Sequence, residues 1–132
     1  YMVANLANLP FKDGSVSCIL NILTPANYEE FFRVLGDDGY LIKIIPNTSY
    51  LREIRELIGG KEYTNSDTVK LIEENCKIVD RITVSDTFQL TKEQAASFLK
   101  MTPLTFSKEI TDSDINQLRE ITIDLELLVC KK

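Results

Sequence analysis

The chain has 132 residues and a mass of 15.0 kDa, with 44% hydrophobic, 27% charged and 8% aromatic residues. That is the composition of one ordinary globular domain, long enough to bury roughly two-thirds of its unfolded surface without staples. A net charge of -5 argues against an autonomous nucleic-acid binder built on cationic phosphate contacts, and the absence of histidine excludes every imidazole acid/base or His-ligated metal site.

Tyr1–Ala4 reads as the tail of a strand, followed by Asn5–Phe11 and a turn at Lys12-Asp13-Gly14-Ser15. Val16–Leu23 is a nearly continuous apolar run, the signature of a strand buried on both faces. Thr24 and Pro25 read as N-cap and first residue of a helix whose apolar face is Phe31, Phe32, Val34 and Leu35. Gly36 ends it, and Asp37-Asp38-Gly39 forms a turn into the strand Tyr40–Ile45, which Pro46 stops. Ser49 is positioned to cap a helix over Tyr50–Ile58, with Leu51, Ile54, Leu57 and Ile58 at helical spacing and Gly59-Gly60 as its end.

This strand–helix alternation predicts right-handed crossovers and a parallel sheet. Further on, the pattern gives a helix from Ser66 or Asp67 to Asn75, a strand Lys77–Ser85, and helices Lys92–Met101 and Asp112–Arg119. Ile121–Val129 alternates strictly, with Thr122, Asp124 and Glu126 opposite the apolar set, and predicts an antiparallel partner, most simply Lys77–Ser85. No linker, repeat or low-complexity tract interrupts the chain, which reads as one compact unit.

Cys18, Cys76 and Cys130 are odd in number, widely spaced and without a CxxC pair. That argues against zinc and against a disulfide framework, and fits reduced thiols in a cytoplasmic protein. There is no run of 18 apolar residues, no charged-then-apolar leader and no lipidation motif, so no membrane partner is expected.

Three stretches together resemble class I S-adenosylmethionine-dependent methyltransferases: Val3–Ser17 with its Leu9-Pro10-Phe11-Lys12-Asp13 segment, Asn21-Ile22-Leu23-Thr24-Pro25 at a strand end, and Glu30-Phe31-Phe32-Arg33-Val34-Leu35 running to Ile42. More narrowly, Met101–Phe106 and the closing Ile121–Glu126 are similar to the large-subunit rRNA (guanine-N1)-methyltransferases. The resemblance implies an α/β fold: a partial Rossmann-like methyltransferase sheet, parallel strands followed by an antiparallel C-terminal hairpin, with helices on both faces. It also implies S-adenosylmethionine as cofactor and rRNA as substrate of the full-length enzyme. The family's Gly-rich cofactor loop, its acidic ribose-binding residue and its N-terminal zinc module are absent here. The expectation is therefore a C-terminal portion of a methyltransferase catalytic domain, inactive alone.

What the resemblance implies for single residues can be set beside simpler readings. Asn5, in place of the usual Asp, would accept from the adenine amino group, and the Leu6 N–H would meet a ring nitrogen; alternatively Asn5 bonds its own backbone in a turn. Asn21, Thr24 and Pro25 would lie beside cofactor methyl and target base as the catalytic wall; alternatively Asn21 satisfies a strand end and Thr24-Pro25 starts a helix. Met101, Thr102, Pro103 and Phe106 would pack on the target base; alternatively they are a helix-terminating turn. Glu29, Glu30 and Glu62 are the carboxylates considered for the guanine N1 proton. The strands missing between Ala4 and Val16 would leave a raw sheet edge, to be covered by a homodimer partner, by the displaced N-terminal segment or by a swap. A non-catalytic interaction or dimerisation module is the competing reading.

Overall fold

The computed structural model describes residues 3–60 and 62–132. In chain order the elements are β1 (Val16–Ile22), α1 (Tyr28–Val34), β2 (Leu35–Pro46), α2 (Arg52–Leu57), α3 (Ser66–Asn75), β3 (Lys77–Gln89), α4 (Lys92–Met101), a 3-10 turn (Pro103–Thr105), α5 (Asp112–Gln117) and β4 (Glu120–Lys131). Val3 and Ala4 join no strand, and the rest of the expected strand tail, Tyr1 and Met2, lies outside the described residues.

The strands form one mixed sheet in the order β1-β2-β4-β3. β1 and β2 are parallel, setting Leu20 beside Ile42, Asn21 beside Lys43 and Ile22 beside Ile44. β3 and β4 run antiparallel: the Thr87 and Thr122 hydroxyls are 3.2 Å apart, and the Leu90 N–H donates to the Arg119 carbonyl at 2.8 Å. The fold is thus the expected α/β class, a parallel pair continued by antiparallel strands.

Contacts group the chain into two compact units. One holds the residues up to Ile45, with Asn65–Thr83 and Glu126–Lys132; the other holds Pro46–Thr64 and Val84–Leu125. The first has a core of Phe31, Leu41, Ile45, Ile72, Cys76, Leu128 and Cys130. The second packs Leu51, Ile54, Ala95, Leu99, Leu118 and Ile121.

Several boundaries differ from the sequence reading, each for a physical reason. Thr24 and Pro25 do not start α1; the N-cap is Asn27, whose side chain accepts from the Glu30 N–H at 3.2 Å. The Thr24 hydroxyl is instead engaged by Asn21. Asp37-Asp38-Gly39 does not separate two elements, because β2 runs through it and absorbs the extra residues as a register break opposite Val16–Cys18. Ser49 does not cap α2; its N–H donates to Asp124 at 3.0 Å, and Leu51 stands at the cap with φ +55. β3 continues four residues past Ser85, and α5 stops two residues short of Arg119.

β4 alternates as expected, and its polar set is the buried one. Thr122, Asp124 and Glu126 are buried, while Ile123, Leu125, Leu127 and Val129 are only half-buried. Each buried polar residue catches a neighbouring group: Thr122 binds Glu53, Asp124 takes the Ser49 N–H, and Glu126 pairs with Arg81 at 3.0 Å. A buried polar group is tolerable only when so satisfied.

Candidate functional site

β1 ends at Ile22, and the chain then turns through Leu23 in the left-handed region, with φ +51. Such a conformation costs a non-glycine residue on the order of 1–2 kcal/mol and persists only where its surroundings impose it. Here they do. The Leu23 N–H donates to the Ile44 carbonyl at 3.0 Å, extending the parallel ladder by one bond. The Asn21 amide nitrogen donates to the Thr24 hydroxyl and the Pro25 carbonyl, each at 2.9 Å. The Lys43 ammonium donates to the Asn21 Oδ1 and, at 2.6 Å, to the Thr24 carbonyl.

Asn21 and Lys43 are 6% and 5% exposed, yet Leu23, Thr24 and Pro25 above them face solvent. The result is an exposed wall held by a buried polar brace at the carboxyl end of a parallel strand, where open α/β sheets bind ligands. Burial lowers the Lys43 pKa, and the electrostatic influence of the nearby Cys130 opposes that shift. Both amide hydrogens of Asn21 are engaged inward, so its side chain braces the turn and is not presented to a ligand.

The loop before β1 is held differently. Asn5 accepts from the Ala7 N–H at 3.0 Å, and the Asn8 N–H returns to the Asn5 carbonyl at 3.0 Å, which makes a local turn. Asn5 and Leu6 are both exposed. Further along, the Arg33 guanidinium donates to the carbonyls of Leu9 and Phe11, each at 3.0 Å, and to Asp13 at 2.5 Å. Glu30 takes the Arg33 Nε and Nη2 at 2.8 and 2.7 Å and the Leu9 N–H at 2.6 Å. These contacts, led by Arg33, hold the Glu30 pKa down to about 2. A carboxylate so committed does not take a proton near neutrality, which removes Glu30 from the candidate bases. Glu29 and Glu62 are exposed.

In the second unit Met101 and Phe106 are 67% and 74% exposed. Between them Thr102 is buried and its hydroxyl accepts from the Leu104 N–H at 3.4 Å, with Pro103 opening the 3-10 turn. The structure joins Asn21, Thr24 and Pro25 by hydrogen bonds, and it adds Lys43 and the role of Arg33, which sequence reasoning missed. A lysine inside the apolar run Leu41–Ile45 was the available signal for the first. For the second, no signal in the sequence tied Arg33 to the Leu9–Asp13 loop.

No protein-family model matches the sequence. The chain is 31% identical along its whole length to the "Putative 23S rRNA (guanine-N(1)-)-methyltransferase YxjB" of Bacillus subtilis (strain 168), covering 49% of that protein. It is 21% identical, over 93% of its length and 47% of the other's, to the 23S rRNA (guanine(748)-N(1))-methyltransferase of Streptomyces fradiae. The chain therefore spans about half the length of the curated relatives it matches, a share that fits the expected partial domain. Among solved structures, that of a "putative methyltransferase (BH2331)" from Bacillus halodurans C-125 superposes with a TM-score of 0.56 at 17% identity, over 98% of this chain and 69% of that one. In sequence the chain thus resembles the 23S rRNA (guanine-N1)-methyltransferases over its whole length, and in fold it is methyltransferase-like.

Proposed function

We propose that this chain supplies part of a cytoplasmic S-adenosylmethionine-dependent methyltransferase that methylates N1 of guanine in 23S rRNA. The observation that carries the reading is the 31% identity to the Bacillus subtilis protein over every residue of the chain. The braced turn Leu23–Pro25 at the end of β1 is consistent with it.

The residues present fit the adenine end of the cofactor. Asn5 Oδ1 is an exposed acceptor with a lone pair beyond the one used by Ala7. Beside it, the Leu6 N–H makes no hydrogen bond among the described residues. An acceptor next to a donor matches the edge of adenine, so Asn5 and Leu6 would hold it. When bound, the cofactor supplies an electrophilic methyl group. Leu23, Thr24 and Pro25 would form the wall that excludes water and fixes the acceptor's approach, with Asn21 bracing them from beneath. Met101 and Phe106 offer exposed apolar surface for a splayed-out base, on a turn shaped by Thr102 and Pro103.

In this reading the chain alone is inactive, because none of its loops has the Gly-rich sequence that seats the rest of the cofactor. The test uses radiolabelled adenosylmethionine and a 23S rRNA transcript, with the 132-residue chain and with a longer protein containing it. Guanine-N1 methylation by the longer protein alone is expected. No methylation by either sinks the reading, and micromolar cofactor binding by the short chain, measured by calorimetry, sinks its inactivity.

A second reading is favoured by one observation. β1 stands at an edge of the sheet, and its Leu20 and Ile22 are 55% and 49% exposed. Such an edge invites pairing with a second copy, which would make the chain an interaction or dimerisation module. A monomer at high concentration in the analytical ultracentrifuge counts against it.

A further inference from the structure

The structure assigns to Lys43 the part of a positioning residue: its buried ammonium, seated between Asn21 and the Thr24 carbonyl, sets the shape of the turn Leu23–Pro25. This deepens the methyltransferase reading, and rests on it for the meaning of that turn.

Three features point to Lys43. First, it is a buried cation with no carboxylate partner: its two hydrogen bonds go to an amide oxygen and a backbone carbonyl. A lysine placed among Leu41, Ile42, Ile44 and Ile45 for core packing alone would be poorly chosen, since burying an ammonium is costly and a leucine would fill the space. Second, its acceptors both belong to the segment that ends β1, so the ammonium ties two adjacent strands where the ladder stops. Third, the segment it ties contains a leucine with φ +51, a conformation that the local chain does not favour.

Asn21 alone does not fix this turn. The two orientations of its amide group fill the same space, and its partners choose between them: the Pro25 carbonyl, which only accepts, calls for the amide nitrogen on its side. Lys43, which has only donors, donates to the carbonyl oxygen and cannot pair with the amide nitrogen. From the opposite side it thus locks the orientation in which Asn21 donates to the Thr24 hydroxyl and the Pro25 carbonyl. The order of dependence runs from Lys43 to Asn21 to the exposed wall.

Lys43→Met keeps the length of the stem and removes the ammonium; Lys43→Gln retains one donor group. In 1H–15N spectra of the 132-residue chain, the Asn21 side-chain amide and the backbone signals of Leu23 and Thr24 are expected to shift in both variants, while those of Ile72 and Leu41 stay in place. Unchanged Asn21 signals overturn the proposal, as do shifts spread evenly through the unit. If the methionine variant does not fold, the glutamine variant is judged by the same outcomes. In a longer protein that methylates rRNA, Lys43→Met is expected to lower kcat about tenfold or more with KM for adenosylmethionine within about twofold. An equal effect on both, or none, goes against it. If no methylation occurs with the unaltered protein, the methyltransferase reading fails, and the spectra alone still decide the role of Lys43.

Discussion

Arg33 and Glu30, one turn apart on α1, are joined by two hydrogen bonds of 2.7 and 2.8 Å, and together they clasp the chain from Leu9 to Asp13. The pair works as a bracket. Its carboxylate takes the Leu9 N–H while its guanidinium takes the carbonyls on either side of Pro10. The loop that follows Asn5 is thereby fixed from a helix more than twenty residues further on.

Because the Glu30 pKa lies near 2, below its ordinary 4.5, the bracket contributes fully above 4.5 and is lost as pH falls through about 2. The carboxyl of Glu30, followed by carbon NMR, should therefore titrate near 2, with the Leu9 amide signal moving in step. Titration near 4.5 would show that the pair is not formed. Arg33→Lys, which keeps charge but loses the planar fork, should speed hydrogen exchange at Leu9 roughly tenfold.

Asn21→Asp tests the buried brace. It places a carboxylate against Lys43 but removes the hydrogens that now reach Thr24 and Pro25. The Pro25 carbonyl then faces an acceptor. We expect a loss of about 1–3 kcal/mol in denaturant unfolding, despite the new ion pair. A gain in stability would mean that the donors to the turn contribute little.

Gly39 and Gly59 should respond to alanine for different reasons. A Cβ on Gly39 would lie 2.7 Å from Leu35 Cγ and 3.0 Å from the Gly36 carbonyl oxygen, and Leu35 is fully buried. Gly39→Ala should cost about 1–3 kcal/mol through overpacking. At Gly59 nothing lies within 4 Å, but φ is +66, so Gly59→Ala should cost about 1 kcal/mol from backbone strain alone. Thermal unfolding of the two variants separates the cases, and equal tolerance of both would contradict the packing at Gly39.

Phe106→Ala should leave stability within about 0.5 kcal/mol, since the ring is 74% exposed. If the turn receives a base, RNA binding by a longer protein should weaken several-fold. Unchanged binding removes Phe106 from the substrate-facing set.

Leu20→Lys with Ile22→Lys should leave the fold intact while abolishing any self-association through the β1 edge, because both side chains are half exposed and charge blunts an open strand. Sedimentation of the double variant and the parent at equal concentration makes the comparison. Association that survives the substitutions would place it elsewhere.

Local chemistry determined much of this protein. Val16–Ile22 is a strand run bounded by Gly14-Ser15 and Thr24-Pro25, though as an edge strand with only Asn21 buried it is not the doubly buried strand its apolar run predicts. Lys92–Met101 has a capping box of Thr91 and Gln94 at its start, and Gly59-Gly60 ends a helix with φ +66. Such signals lie within a few residues of what they specify, so the order of strands and helices and the methyltransferase resemblance were legible in the chain. What only the tertiary structure decided are the places where distant groups compete for the same atoms. Thr24 looks like a cap, but Asn21 reaches its hydroxyl first, and the cap passes to Asn27. Ser49 is held through its N–H by Asp124, 75 residues away, and the cap position falls to Leu51, two residues later. The polar face of β4 turns inward since its partners sit on other elements, and Lys43 acquires its meaning from the strand beside it. Periodicity reports which residues share a face; only the folded chain decides which face is covered, and by what.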